Sequence, residues 1–398
     1  MAVLCRIFGL EHVEIAEDIV SDTFLSATEL WGLKGLPENP VAWLYTVSKN
    51  KTKDFLKRNS LFAQKISPQL KYGAAVSEDL VIDLSEKNIN DSRLAMMFAV
   101  CNPVISPEAQ VALALNLLCG FGAEEIADAF LTNKDLIYKR LSRAKEKLRA
   151  EKINIAEPPV KQIGERTETV LTVIYLLFNE GYCSASQNIP LRRDLCMEAM
   201  ELAVLLTENV HTNIPPVNAL LALMCFHASR FDARIGIEGE IILYEDQDRE
   251  LWNAELIGKG EYYLSTAAFG PVLSKYHLEA GIAFWHTRKK DNEEKWENIL
   301  QLYNRLLQLE YSPIAALNRT YALAKVKGNT AGITEAQKLN LEGNYLYHAL
   351  LGNLYREIDH VEALKYLQQA FALARSEADR AIISRNIEGL TEKHINHK

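Results

Sequence analysis

Apolar positions recur with a helical period along most of the chain, and the places where the period fails divide it. Residues 1–60 read as helices broken at Gly32–Pro40. Residues 61–90 have weak periodicity and mixed polarity, which predicts a connector. Residues 91–152 are helical again and close on a basic run. Glu157-Pro158-Pro159 then marks a boundary, because Pro-Pro cannot continue a helix. Everything from about 160 to 398 forms a third, larger helical region. The one candidate strand, Gly236–Tyr244, alternates imperfectly and reads equally well as a loop. The expected fold class is all-α.

Within this frame the best-defined local syntax lies in Ser106–Arg149. Ser106-Pro107-Glu108 predicts a helix start: a capping hydroxyl, Pro at the first helical position and a carboxylate near the positive end of the dipole. A helix Glu108–Cys119 should follow and end at Gly120. Ala123–Phe130 predicts a short helix and Leu131–Asn133 a turn, with Thr132 and Asp135 spaced as a capping box for the next helix. In that helix Ile137, Leu141, Ala144 and Leu148 form an apolar stripe, leaving Lys139, Arg140, Arg143 and Lys147 outward. This is the order of a helix-turn-helix.

The N-terminal segments carry a different asymmetry. In a predicted helix Glu11–Trp31, the carboxylates Glu11, Glu14, Asp18, Asp22 and Glu29 share one face, while Ala16, Val20, Thr23, Ala27 and Leu30 form the stripe facing the core. Like charges along one face cost stability, so a positive partner or a merely solvated face are the two readings. The next helix should start at the cap Asn39-Pro40 and run to about Arg58. Val41, Leu44, Tyr45, Ser48, Phe55 and Leu56 make its inner side, with Trp43, Thr46, Lys49, Asn50, Lys53 and Lys57 opposite and Arg58 nearby.

Charge changes the picture more than composition does. The total is −8, which excludes a surface that grips nucleic acid all over, so any such contact is local. Lys134–Lys152 holds eight basic residues against Asp135, Glu146 and Glu151, a net of +5, and Ser48–Arg58 nets +4. A basic helix after a short helix and tight turn suits duplex DNA, where phosphate contacts supply most of the affinity. An aromatic among amides and cations, as at Trp43, suits single strands whose bases stack on a ring. The bland alternatives are a solvated basic face and a core Trp.

Taken together, IAEDIVSDTFLSATELW followed by PENPVAWLYTVSKNKTKDFLKR resembles region 2 of an RNA polymerase sigma factor. SPEAQVALALNLLCGFGAEEIADAFLTNKDLIYKRLSRAKEKLRA resembles region 4. VIYLLFNEGYCSAS, LLALMCFHASRFDAR and LYEDQDRELWNAELIGKG are similar to the extracytoplasmic-function (ECF) subgroup with a tetratricopeptide-like C-terminal extension. The resemblance implies region 2 at 1–60, a linker at 61–90, region 4 at 91–155 and the extension at 160–398, with the start falling inside region 2. It implies that Glu17, Asp18 and Asp22 dock on the β′ clamp of core polymerase and that region 4 meets the β flap. It further implies minus-ten recognition by Trp43, Thr46, Lys49, Asn50, Lys57 and Arg58, and minus-thirty-five recognition by Lys134, Asp135, Lys139, Arg140, Arg143 and Lys147. Promoter DNA and core RNA polymerase are the expected partners, with no cofactor and no enzymatic step.

The extension carries faint repeats. Leu351-Gly352-x-x-Tyr355 and Ala363-x-x-x-Leu367-x-x-Ala370, within Tyr347–Arg375, approach the tetratricopeptide pattern with His348 in the usual Trp position, and Pro313–Leu339 reads as a weaker pair. Asn179, Glu180, His227, Arg230, Arg234, Asp246, Asp248 and Arg249 sit in apolar surroundings, where such groups must be paired; they form either a structural network or a site for a small-molecule or protein partner. The six cysteines show no C-x-x-C pair and the nine histidines are dispersed, so no metal is expected. No Gly-rich phosphate loop or G-x-S-x-G is present. With no run of about 20 apolar residues, a cytoplasmic protein without a membrane span is expected. Three functions stay open: a sigma factor with a regulatory extension, a DNA-binding regulator without polymerase engagement, and a ligand- or partner-binding helical module.

Overall fold

The computed structural model describes residues 1–58, 82–130, 132–182, 191–236, 242–374 and 376–396. Two compact units divide the chain, Met1–Val173 and Ile174–Lys398. Both are helical among the described residues, so the chain is all-α. Most of the connector expected at 61–90 lies outside the described residues, as does 237–241 of the candidate strand. Ser85 caps a helix that begins at Glu86, so residues 86–90 belong to that helix and not to a connector. Of the strand reading, the described end at Tyr244 opens a 3₁₀ turn, Tyr244–Asp246, instead.

The first unit contains α1 (Ala2–Phe8), α2 (Val13–Lys34), α3 (Pro40–Arg58), α4 (Glu86–Val100), α5 (Pro107–Leu117), α6 (Ala123–Ala129) and α7 (Lys134–Ala150), and α8 (Val160–Tyr182) begins in it. The turn Leu10–His12 is 3₁₀, which takes Glu11 off the α2 helix and out of the acidic row assigned to it. α2 runs through Gly32 and stops at Gly35, whose φ of +79° is the left-handed conformation that glycine adopts without a Cβ penalty. Its buried residues are Val13, Ala16, Ile19, Thr23 and Ala27. Ile19 therefore replaces Val20 in the predicted stripe, and Leu30 is exposed. In α3 only Thr52 is buried; Val41 and Tyr45, read as inner, are exposed. The helix is held along one edge, where Phe55 meets Phe8 and Trp43 meets Trp31 edge-on.

α1 packs on α4, whose Leu94–Val100 stretch is wholly buried. Ser106 caps α5 as expected, its Oγ accepting from the Ala109 amide, with Pro107 at the first helical position. Glu125 caps α6 by accepting from the Gly122 amide at 2.7 Å. The cap of α7 is Asn133, whose side chain accepts from the Asp135 amide; Thr132 was one residue early. Both can cap, and the register was settled by the Thr132 amide bonding back to Ala127 O, which closes the turn.

The second unit is built around α10 (Pro215–Ala228), buried from Val217 to Phe226 by α9 (Arg193–Glu208), α12 (Ala254–Ala267) and α13 (Lys275–Thr287). The four-residue α11 (Phe231–Arg234) follows α10 directly. Beyond α13 come α14 (Glu293–Leu309), α15 (Pro313–Lys327), α16 (Asn329–Gln337), α17 (Tyr345–Tyr355), α18 (His360–Leu373) and α19 (Glu377–Asn396), each packed on its neighbour. Successive apolar clusters run along them, around Ile299, Leu351 and Leu367. In the α17–α18 hairpin Gly352 lies so close to α18 that a Cβ would stand 2.7 Å from Leu367 Cγ. No helix among the described residues is long and apolar enough to cross a membrane.

Candidate functional site

α7 presents three sides. Ile137, Leu141, Ala144 and Leu148 are buried, as their spacing requires. Asp135, Lys139, Arg143 and Lys147, at four-residue intervals, form an exposed row on the opposite side, with Arg140 beside it and partly covered. Lys134 is exposed and ion-paired to Glu124 of α6 at 2.6 Å. The row thus keeps its cations in solvent, where a phosphate backbone could reach them.

The third side of α7 was not foreseen. Lys145 Nζ pairs with Glu17 Oε1 of α2 at 2.5 Å, with side-chain exposures of only 12% and 27%. Arg149 bonds Glu14 and donates from Nε to Leu10 O at 2.9 Å. Burial acts to raise the Glu14 carboxyl, but the hydrogen bond and charge of Arg149 outweigh it and hold the group below the ordinary range. The acidic row of α2 is therefore split, with Glu14 engaged by α7 and Asp18 and Asp22 exposed, and Glu17, from outside the row, also faces α7.

On α3, Trp43, Thr46, Asn50 and Lys57 fall on one face. Thr46, Asn50, Lys57 and Arg58 are exposed, and Lys49 is partly so. Trp43 is half-buried, its ring 5.4 Å from that of Trp31 at 60°, so one part packs while the rest is accessible.

The extension residues separate into two groups. Asp246 and Asp248 are exposed; Asp248 caps the Glu250 amide, and Arg249 donates to Lys289 O beside Trp252. They are not partners of the buried cations, contrary to the grouping read from sequence. Asn179 bonds Tyr175, whose hydroxyl reaches Glu279 at 3.2 Å; burial first, and Glu310 with it, pushes Glu279 up to about 7 against the pull of Tyr175 and Lys275. Glu180 is partly buried on the same helix.

His227, Arg230 and Arg234 do come together. Arg230 Nη2 donates to Tyr182 Oη at 3.2 Å and lies 3.4 Å from His227 Nδ1, and its guanidinium sits 5.3 Å over the Tyr244 ring. Arg234 stacks 4.1 Å over Tyr182. Tyr244 Oη donates to His286 O at 2.7 Å and accepts from Lys295 Nζ at 3.0 Å. Lys295, with a wholly buried side chain, is also 3.5 Å from Asp291 Oδ1. Burial, then Arg230, lowers both imidazoles: His227 well below its ordinary value, with Arg234 and His286 adding to the effect, and His286 to about 3. Tyr182, Tyr244, His286 and Lys295 were missed because isolated aromatic and basic residues far apart in sequence carry no local signal. No group of three metal-ligating side chains occurs among the described residues.

Residues 1–62 match the family described as Sigma-70 region 2, and residues 166–268 match one described as "Family of unknown function (DUF6596)". The front of the chain is thus a sigma-70 region 2 domain, which gives it a sigma-factor-like place in transcription initiation and implies interaction with core RNA polymerase. Over 98% of its length it is 31% identical to the "Uncharacterized protein R00370" of Rhizobium meliloti (strain 1021), 93% of which is covered. The chain belongs to the family of that protein. No solved structure matches.

Proposed function

We propose that the protein is an extracytoplasmic-function sigma factor whose C-terminal unit regulates it. The observation that carries this reading is the outward basic row of α7, set after a short helix and a capped turn, in a chain that opens with a sigma-70 region 2 domain. In this reading α6–α7 is a helix-turn-helix of region 4 that reads the minus-thirty-five element through Lys134, Asp135, Lys139, Arg140, Arg143 and Lys147, and meets the β flap. Trp43, Thr46, Lys49, Asn50, Lys57 and Arg58 meet the minus-ten element as strands open, with the accessible part of Trp43 available for base stacking. Glu17, Asp18 and Asp22 dock on the β′ clamp. The later helical hairpins form a tetratricopeptide-like scaffold that acts in place of a separate anti-sigma protein.

The α2–α7 ion pairs add a condition. Glu17 cannot serve Lys145 and a basic surface of polymerase at once, so polymerase binding requires that this contact open. That favours a resting form in which the region 4 helix guards part of the region 2 docking surface.

Transcription by purified core polymerase on fragmented genomic DNA tests the proposal. Addition of the full chain should create discrete new start sites, and Trp43→Ala should reduce them while polymerase co-purification persists. No new transcripts together with no co-purification would leave a DNA-binding regulator as the better account.

A further inference from the structure

Arg230 is 9% exposed and has no carboxylate partner among the described residues. Both of its hydrogen bonds use Nη2, toward a neutral phenol and a neutral imidazole. Of the five N–H bonds of a guanidinium, the three on Nε and Nη1 find no protein acceptor among those residues. Lys295, with a wholly buried side chain, adds a second positive charge over the Tyr244 ring. Arg234 stacks on Tyr182 and Lys295 lies beside Tyr244, while Asp291 is already held by Lys295 and by the Trp296 indole N–H at 2.7 Å. Glu245 is taken by Tyr321 and Lys325.

A buried cation without its counter-charge is a costly arrangement that an apolar residue would relieve. Here it is also carefully oriented, by Tyr182, by His227 as an acceptor and by the face of Tyr244. Fixed orientation of an unneutralised guanidinium is what recognition of a planar or tetrahedral oxyanion needs. We propose that the second unit binds a small oxyanion-bearing metabolite, a carboxylate or a phosphate, on Arg230, with Arg234 and the aromatic rings of Tyr182 and Tyr244 bounding the site. The extension is then a receptor for an anionic metabolite. This stands whether or not the first unit is a sigma factor.

Thermal unfolding of the full chain, followed with inorganic phosphate or succinate against chloride at matched ionic strength, provides the test, with calorimetric titration alongside. Wild type should gain stability with one of the two anions in proportion to ln(1 + [anion]/Kd). Phosphate alone would assign a phosphorylated metabolite and succinate alone a carboxylate. Arg230→Met should lose that gain yet unfold no earlier than wild type in chloride, since it removes an unpaired buried charge. Arg230→Lys should bind about tenfold more weakly, because it keeps the charge and loses the planar fork. A wild type blind to both anions in melting and calorimetry overturns the proposal. So does a gain that survives in Arg230→Met, or an Arg230→Lys affinity equal to that of wild type if the Met variant does not fold.

Discussion

Replacing Lys145 by alanine removes the ion pair that joins α7 to α2 without touching the outward row of α7. The pair is close, at 2.5 Å, and its side chains are 12% and 27% exposed, so it lies between a solvated surface pair, worth roughly 0.2–1 kcal/mol, and a fully desolvated one. A coupling of about 1 kcal/mol follows. The Arg149–Glu14 pair, at 28% and 54% exposure, is discounted to about 0.5 kcal/mol. If Glu17 must leave Lys145 to engage polymerase, Lys145→Ala relieves that competition and core polymerase affinity should rise by about fivefold, since about 1.4 kcal/mol is a factor of ten. Fluorescence anisotropy with labelled protein and unlabelled core polymerase reads this directly. The gain should shrink in high salt, where a partly exposed pair is already weakened. Glu17→Ala should lose affinity instead. A Lys145→Ala variant that folds normally and binds polymerase no better than wild type would refute the competition, and a double-mutant cycle with no coupling would refute the energetic estimate.

Arg140→Ala and Arg143→Ala should each weaken promoter binding and lower the slope of log K against log salt by about 1, with polymerase binding unchanged; filter binding over a salt series measures both. Glu279→Gln should alter how stability depends on pH. A carboxyl raised from 4.5 to about 7 on folding favours the folded state below 4.5 and loses that contribution as pH rises through about 7, so the variant should gain on wild type at pH 8 relative to pH 4 in urea titrations. Histidines lowered on folding, such as His286, act in the opposite sense below their ordinary value of 6.5, which is why the difference between variant and wild type is the quantity to compare. Gly352→Ala places a Cβ 2.7 Å from Leu367 Cγ and 3.2 Å from Ala363 O and should cost about 1–3 kcal/mol, seen as earlier unfolding of the full chain.

What could be read in advance was local. The stripe of α7 and the Ser106-Pro107 start depend on residues within a turn or two of one another, so period and capping chemistry specify them. The inner faces of α2 and α3 were read less well. Ile19 for Val20 is a neighbour on the helix, and the exposure of Val41 and Tyr45 depends on how far neighbouring helices reach along α3, which apolar character alone does not encode. Among the nominated DNA-facing residues, those on α7 and α3 lie on accessible faces. The acidic row lost Glu11 to the 3₁₀ turn, and the turning of Glu14 toward α7 while Asp18 and Asp22 stay in solvent is set by its pairing with Arg149, 135 residues away. Likewise His227 and Arg230 were visible as polar groups in an apolar helix, whereas Tyr244, His286 and Lys295 join them only through tertiary packing.

The contact between Lys145 and Glu17 also constrains how this chain can change over generations. Each residue is the other's counter-charge, so a substitution at either alone leaves a partly desolvated ion behind, and drift at both positions is slowed until the pair changes together. Among relatives, positions 17 and 145, with 14 and 149 beside them, should therefore vary as linked pairs, exchanging sign or neutrality in step, although one of each pair lies in the polymerase-facing domain and the other in the helix that bears the basic row.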